Sequence, residues 1–128
     1  MITWITKAAV LAIHDQQIAE HGGSPDLRDG NLLESALARP QNLFAYGNPE
    51  PDLAALAAAY AFGIAQNHAF IDGNKRTSFV VTRTFLILNG LDITANQIER
   101  LTVWIDLGAG RLSEEALADW LRKNTAKK

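Results

Sequence analysis

The stretch HAFIDGNKRT, residues 68–77, decides the fold because an uncharged segment of the chain ends in it and a charged segment begins. Residues 53–71 contain no Asp, Glu, Lys or Arg, and eight of these nineteen residues are alanine. Asp72, Lys75 and Arg76 then follow within five residues, around a Gly-Asn pair. This pattern predicts a buried core helix, a polar loop and a second helix, rather than a membrane span, because alanine gains little in lipid.

Capping residues, glycines and prolines divide the rest of the chain into helices. Six are expected: from a Thr6 cap to about Glu20, about Leu32 to Ala38, from an Asp52 cap to about Asn67, about Lys75 to Leu88, from a Thr94–Gln97 capping box to about Leu107, and from Ser113 onward. The second helix is expected to stop before Pro40, with QNLFAYGNPEP as a loop. The sequence has no run of alternating apolar and polar residues long enough to predict a sheet. The tail NTAKK is the one segment that is not expected to be ordered. The sequence therefore predicts an all-α fold, with residues 1–128 as one domain.

Bulk properties exclude several classes of protein. The chain has 128 residues, of which 48% are hydrophobic and 20% are charged, as in soluble globular domains. Its formal net charge of −2 disfavours nucleic-acid binding, because a duplex reader usually carries a basic face. The absence of cysteine excludes disulfides and thiolate zinc sites and is compatible with a reducing cytoplasm. The N-terminus is a poor signal peptide because Lys7 interrupts its apolar run.

The start of the helix after the loop has the properties of an anion site. Its first N–H groups lack intrahelical partners and carry partial positive charge, which makes the cations Lys75 and Arg76 unfavourable there. Gly73 would let a ligand approach the backbone closely, and a bound phosphate would turn the unfavourable charge into a favourable one. The alternative is a surface loop whose cations pair with nearby acids.

Other side chains of the loop can carry chemistry as well. Asp72 is an oxygen ligand suited to Mg²⁺ that bridges phosphates, and His68 could exchange a proton with a hydroxyl. The alternative is that the two form a helix-surface or capping pair. Phe70 is expected to pin the loop to the core. The motif lacks the spacing of a P-loop, and a zinc site is disfavoured by the small number of histidines.

The complete string HAFIDGNKR resembles the signature H-x-F-x-[D/E]-G-N-[G/K]-R of the Fic/Doc (Fido) superfamily at seven positions. Upstream, AIHDQQIAEHGG and RDGNLLESALARPQ are similar to the N-terminal half of death-on-curing toxins, the short members of that superfamily. The resemblance spans most of residues 10–90, whereas the last third of the chain adds little to it. It implies a compact six-helix Fido-type bundle with the active-site loop between two central helices.

The resemblance also implies an activity. Fic enzymes that transfer AMP commonly have glycine where this chain has Lys75, and a second arginine where it has Phe79. Arg83 lies one helical turn further along. Lysine at position 75 is typical of the Doc form, a protein kinase that transfers the γ-phosphate of ATP to a threonine of elongation factor Tu and arrests translation. Such a toxin is cytoplasmic, uses Mg²⁺ and is paired with an antitoxin that folds into a hydrophobic groove.

Residue roles are implied in the same way. The catalytic residues are His68, Lys75 and Arg76; the nucleotide-binding residues are Phe70, Gly73, Asn74, Lys75, Arg76 and Thr77; the Mg²⁺ ligand is Asp72. His68 would be the general base, and the two cations would neutralise charge that builds up during transfer. The Thr77 hydroxyl could contact phosphate or bond to the backbone.

Other polar residues allow more than one interpretation. Arg28, Asp29, Glu34 and Arg39 could shape the mouth of the active site or form salt bridges that hold a short helix. His14 and His21 are expected on a helix face and at a helix C-terminus, and the three tryptophans are expected to be core or interface anchors. Two further functions stay open: AMP transfer to a protein hydroxyl, and a non-enzymatic binding domain such as a helix-turn-helix DNA reader with residues 74–76 on its recognition helix.

Overall fold

A computed structural model describes residues 1–128 as six helices and two short strands. In chain order these are α1 Lys7–His21, α2 Gly30–Tyr46, α3 Leu53–Asn67, α4 Asn74–Leu88, β1 Leu91–Ile93, α5 Gln97–Gly108, α6 Glu114–Lys123 and β2 Thr125–Lys127. The predicted all-α bundle is confirmed, with one small antiparallel sheet added to it. The charged loop of residues 68–73 joins α3 to α4, as predicted.

Helix α3 lies at the centre of the bundle and packs against α2, α4, α5 and α6. Ten of its fifteen residues are buried, which accounts for the absence of charge in its sequence. Gly63 lets α2 approach closely, because a Cβ atom at that position would lie 3.2 Å from the Ala36 Cα atom. No helix of the protein is long and apolar enough to cross a membrane. The interpretation of residues 53–71 as a core segment is therefore supported by burial.

Three of the predicted helix caps are present. Thr6, Asp52 and Ser113 each accept a hydrogen bond from the backbone N–H three residues further on, at distances of 3.1, 2.9 and 3.1 Å. These bonds satisfy N–H groups that would otherwise lack a partner. The starts of α1, α3 and α6 could therefore be predicted from their capping residues.

The prediction that the second helix ends before Pro40 was wrong. Helix α2 continues through Pro40 to Tyr46, so residues 41–46 are helical rather than a loop. A proline inside a helix costs about 3 kcal/mol because its N–H is missing. Pro40 is nevertheless buried, in register with Leu33, Ala36 and Leu37 on one helix face. Burial of that face against α3 outweighs the local preference.

Two predictions near the C-terminal third of the chain were also wrong. Asn96, not Thr94, caps α5, by accepting a hydrogen bond from the Glu99 N–H at 2.9 Å. The Thr94 N–H instead donates to the Asn124 carbonyl at 2.7 Å. It thereby extends the pairing of β1 with β2, in which Ile93 lies opposite Thr125. The tail is therefore an ordered strand, and its three residues are too few to show alternation.

An ion pair between α6 and the start of α3 makes stability depend on pH. The Arg122 guanidinium bonds to both oxygens of Asp52, at 2.6 and 3.1 Å, and lowers the pKa of that carboxyl below its usual value. Because the folded pKa of Asp52 is depressed, the pair contributes stability above the unfolded pKa, and this stability is lost as the pH falls through the folded pKa.

Since the pair is about half exposed, we expect Arg122→Ala to cost roughly 0.2–1 kcal/mol at neutral pH. Urea denaturation at neutral pH and below the folded pKa should show the difference shrinking in acid; a constant difference would contradict the ion-pair account.

Candidate active site

The loop between α3 and α4 turns through two left-handed residues. His68, at the end of α3, has φ 52° and ψ 47°, and it is the only non-glycine residue with positive φ. Gly73, immediately before α4, has φ 81°. A Cβ atom at Gly73 would also lie 3.3 Å from the Ile18 Cδ1 atom of α1. The backbone conformation therefore favours glycine at position 73, and a side chain there would also have to displace the end of Ile18.

Asn74 closes the loop on itself. Its side-chain amide donates to the Phe70 carbonyl at 2.9 Å, and its side-chain oxygen accepts from the Phe70 N–H at 3.2 Å. Both residues are buried. The Asn74 side chain is therefore committed to holding the loop, and only its backbone N–H is available to a ligand.

His14 of α1 packs against the loop and supports it, a role that the sequence did not indicate. Its ring is 1% exposed and is stacked on Phe70, with ring centroids 3.7 Å apart and planes inclined by 10°. Its Nε2 atom lies 2.8 Å from the Asp72 carbonyl oxygen. A carbonyl can only accept, so Nε2 carries the proton and donates it. His14 was expected on a helix face, and that face is turned toward the loop.

The N-terminus of α4 presents unsatisfied donors. Gly73 supplies no side-chain cap, and the backbone N–H groups of Asn74, Lys75 and Arg76 have no acceptor within the chain. Lys75 and Arg76 are exposed, and neither forms a salt bridge, so the alternative in which these cations pair with nearby acids is not observed. Three free N–H groups and two free cations converge there, which is an arrangement suited to a phosphate.

A cleft of about 620 Å³ opens beside this helix end, between α1, α4 and α5. Residues 73–76 form one wall, with Phe79 and Val80. Gln17 and His21 line it from α1, and α5 contributes Gln97, Arg100, Leu101, Trp104 and Ile105. The C-terminal third, from which the sequence predicted nothing functional, therefore supplies the wall opposite the loop. Its size and mixed lining suit a small-molecule ligand.

Arg100 adds a third cation to the cleft. Its guanidinium donates to the carbonyls of Ala95 and Ile93 at 2.7 and 3.2 Å and lies 5.9 Å from the centre of the Phe79 ring. Trp104 is fixed in the same wall, because its indole N–H donates to the Ser78 hydroxyl at 3.1 Å. These contacts hold the α5 wall in place relative to α4.

His68 and Asp72 lie on the loop outside the walls of the cleft. The His68 side chain is exposed and makes no hydrogen bond within the chain. One Asp72 oxygen, Oδ2, accepts from the Ser24 N–H at 2.7 Å, whereas Oδ1 has no partner. No cluster of three or more His, Asp or Glu side chains could hold a metal ion by itself. The donor set therefore fits Mg²⁺ that is bound mainly by phosphates and water, with one carboxylate from the protein.

Besides Asn74, two of the residues that were expected to bind the nucleotide are buried. Phe70 is 1% exposed and packs on His14, so the structure favours its role in pinning the loop. Thr77 is fully buried, and its hydroxyl has no hydrogen-bond partner, so it neither lines the cleft nor bonds to the backbone. We place neither side chain against the ligand.

The remaining charged residues singled out in the sequence have separate structural partners. Asp29 caps α2, Glu34 pairs with Lys7 at 2.6 Å, and Arg39 pairs with Glu114. Arg83 binds both oxygens of Asp92, at 3.0 and 3.2 Å. The Arg83 guanidinium is therefore engaged by Asp92, and Arg83 is not among the residues that line the cleft.

Comparisons with known proteins show which family and which relatives the chain is similar to. The Fic/DOC family model matches residues 4–86. The chain is 32% identical over 120 residues to a protein named Protein kinase doc from Escherichia phage P1, covering 93% of each chain. It is 43% identical over 75 residues to a protein named Toxin Doc from Mycolicibacterium smegmatis strain ATCC 700084, covering 59% of this chain and 58% of the relative.

Proposed function

The chain belongs to the Fic/DOC family, and on that premise we propose that it is a toxin kinase that transfers the γ-phosphate of ATP to a threonine of elongation factor Tu. The observation that carries the proposal is the set of free N–H donors at the N-terminus of α4, beside an open cleft. The relative named a protein kinase, which aligns over 93% of this chain, supports the same activity.

The nucleotide would bind with its transferred phosphate at the start of α4. The backbone N–H groups of residues 74–76 would donate to phosphate oxygens, since Gly73 begins α4 without a side chain that could cap them. Lys75 and Arg76 would neutralise the charge that develops on the oxygens during transfer, which is the main requirement of phosphoryl-transfer catalysis. The rest of the nucleotide would occupy the cleft between α1 and α5.

His68 would act as the general base. It would take the proton from the threonine hydroxyl as that oxygen forms its bond to the γ-phosphorus and the bond to the β,γ-bridging oxygen breaks, releasing ADP. An exposed position suits this role, because the acceptor hydroxyl belongs to a macromolecule. Asp72 would hold Mg²⁺ through its free Oδ1 oxygen, and the ion would supply positive charge to the phosphates.

Three residues favour the kinase over AMP transfer. Lys75 stands where AMP-transferring relatives commonly have glycine, and Phe79 stands where they have a second arginine. Arg83 is bound to Asp92. A DNA reader is disfavoured because Lys75 and Arg76 line a concave cleft on a chain of net charge −2. The family resemblance also supports a cytoplasmic toxin held by a cognate antitoxin.

Thermal unfolding tests the nucleotide site directly. A ligand that binds only the folded chain raises its stability by about 2.7 kcal/mol at roughly 100 times Kd, so ATP with Mg²⁺ should raise the Tm. The Arg76→Ala variant should respond less, because a cation is removed from the site. Arg122→Ala, which lies outside the cleft, should respond like the wild-type protein. An unchanged wild-type Tm at millimolar ATP would contradict the proposed site.

Gly108 is predicted to set the path of the Lys75 side chain. A Cβ atom at Gly108 would lie 2.5 Å from the Lys75 Cδ atom and 2.8 Å from its Cγ atom, so Gly108→Ala would displace the lysine. Alanine is the better helix former by about 1 kcal/mol, so the variant should stay folded while ATP binding weakens by roughly tenfold, about 1.4 kcal/mol. The control is the same change in a Lys75→Gly background, where no lysine stem remains. Equal losses in the two backgrounds would contradict the role of Lys75.

The acceptor needs its own test. Incubation of elongation factor Tu with the protein, ATP and Mg²⁺ is expected to yield one phosphothreonine, identified by peptide mass spectrometry. The control omits ATP. If the factor stays unmodified although the protein binds ATP, elongation factor Tu is not the substrate.

A further inference from the structure

We propose that Arg28 is a positioning residue that holds His68 in its left-handed conformation by binding the last carbonyl groups of α3. Arg28 belongs to the charged group upstream of the loop that the catalytic assignment leaves without a role. The inference concerns the conformation of the proposed base and rests on the proposed function for its kinetic consequence.

Helix α3 ends differently from the other five helices. In α1, α2, α4, α5 and α6 the N–H of the C-cap residue donates back to a carbonyl of the last turn. The N–H of His68, the C-cap of α3, makes no such bond. The end of α3 therefore needs donors from outside the helix.

Arg28 supplies those donors through its side chain. Its Nε atom donates to the His68 carbonyl at 2.7 Å, and its Nη2 atom donates to the Asn67 carbonyl at 3.1 Å. The guanidinium pairs with no carboxylate, although it is exposed. Its planar fork is thus directed at two successive carbonyls, and its positive charge faces the negative end of the α3 dipole.

The conformation of His68 makes such an anchor necessary. A left-handed backbone is disfavoured for any residue with a Cβ atom, and it persists where the surroundings hold it. The orientation of the carbonyl of residue 68 is set by ψ of that residue, so a donor fixed on this oxygen restrains the turn directly. The imidazole makes no hydrogen bond of its own. The backbone of His68 therefore sets the direction of its Cα–Cβ bond, and no hydrogen bond of the ring adds to that restraint.

Other bonds between the Arg28 segment and the loop are made by backbone atoms alone, so they hold the fold independently of the Arg28 side chain. The N–H groups of Arg28 and Asp29 both donate to the Ala69 carbonyl, at 2.7 and 3.0 Å, and the Ile71 N–H donates to the Asp26 carbonyl at 3.2 Å. These bonds do not involve the Arg28 side chain and would survive its removal. The side chain acts only at residues 67 and 68, upstream of the α4 anion site.

The test compares Arg28→Ala and Arg28→Lys with the wild-type protein. For Arg28→Ala we expect kcat for phosphate transfer to fall by about 10- to 100-fold, as for a misplaced catalytic group, with the KM for ATP unchanged. Lysine can reach one carbonyl but cannot form the fork, so Arg28→Lys should recover part of the rate. The matched control is Arg122→Ala, which removes an arginine bonded near the other end of α3 and should keep the wild-type kcat.

A second readout does not depend on activity. The three-bond HN–Hα coupling and the Cα chemical shift of His68 report its φ, and both should move away from left-handed values in Arg28→Ala. A wild-type kcat in Arg28→Ala, or unchanged NMR parameters of His68, would overturn the proposal. If the wild-type protein transfers no phosphate, the proposed function fails, and the NMR parameters still decide the role of Arg28.

Discussion

Replacing His68 by alanine is expected to lower phosphate transfer by about 100- to 10,000-fold, the usual contribution of a general base. The imidazole is exposed and has no hydrogen-bond partner in the chain, so its removal breaks no hydrogen bond or ion pair. ATP should therefore raise the Tm of His68→Ala as much as that of the wild-type protein, because the donors at the start of α4 are retained. Single-turnover transfer and thermal unfolding measure the two effects separately.

The His68→Gly variant is the matched control for backbone strain. Glycine relieves the positive φ of 52° and should make the protein about 1 kcal/mol more stable than His68→Ala, while remaining equally inactive. Transfer by either variant at more than a tenth of the wild-type rate would remove His68 as the base.

Replacing His14 by alanine is expected to destabilise the fold by roughly 2–4 kcal/mol, through loss of a buried ring and of a hydrogen bond. The ring fills the space beneath Phe70, and its Nε2 donor satisfies the Asp72 carbonyl. Removal would leave both a cavity and a carbonyl without its donor. Urea denaturation should show a lower midpoint with an unchanged slope.

The His14→Phe variant separates packing from hydrogen bonding. Phenylalanine keeps an aromatic ring against Phe70 but offers no donor to the Asp72 carbonyl, so about 1–2 kcal/mol of the loss should remain. If His14→Ala unfolds at the wild-type urea concentration, the loop does not depend on support from α1.

Local chemistry explains which elements could be predicted from the sequence. Thr6, Asp52 and Ser113 cap helices through contacts three residues away, so the signal lies in adjacent letters of the sequence. The loop could be predicted for the same reason: a helix that starts at residue 74, directly after Gly73, leaves its first N–H groups without partners. Cations at a helix N-terminus are locally unfavourable, and that conflict indicated an anion site.

Predictions failed where distant packing decides the structure. Pro40 stays inside α2 because its face is buried against α3, and the local preference for a helix end does not show this. The Thr94 backbone N–H bonds to the Asn124 carbonyl, thirty positions away, so residue 94 continues the pairing of β1 with β2 and α5 begins only at Gln97. The tail becomes a strand only because β1 is beside it.

The predicted site was incomplete because residues distant in the sequence also contribute to it. His14 and the cleft wall of α5 reach the loop from 58 residues upstream and more than 20 residues downstream, respectively. Gly108, at the end of α5, lies directly against the side chain of Lys75. The motif of residues 68–77 carries the reactive groups, whereas the surfaces that hold and surround them come from distant segments. No local pattern identifies those segments.

The most direct test of the proposed activity is transfer of label from ATP to elongation factor Tu, with the label placed in parallel reactions on the α- or the γ-phosphate. His68→Ala runs beside each reaction. The proposed kinase predicts label on the factor from the γ position only, and none with the variant. Label from the α position would show AMP transfer and would contradict the role given to Lys75 and to the missing second arginine.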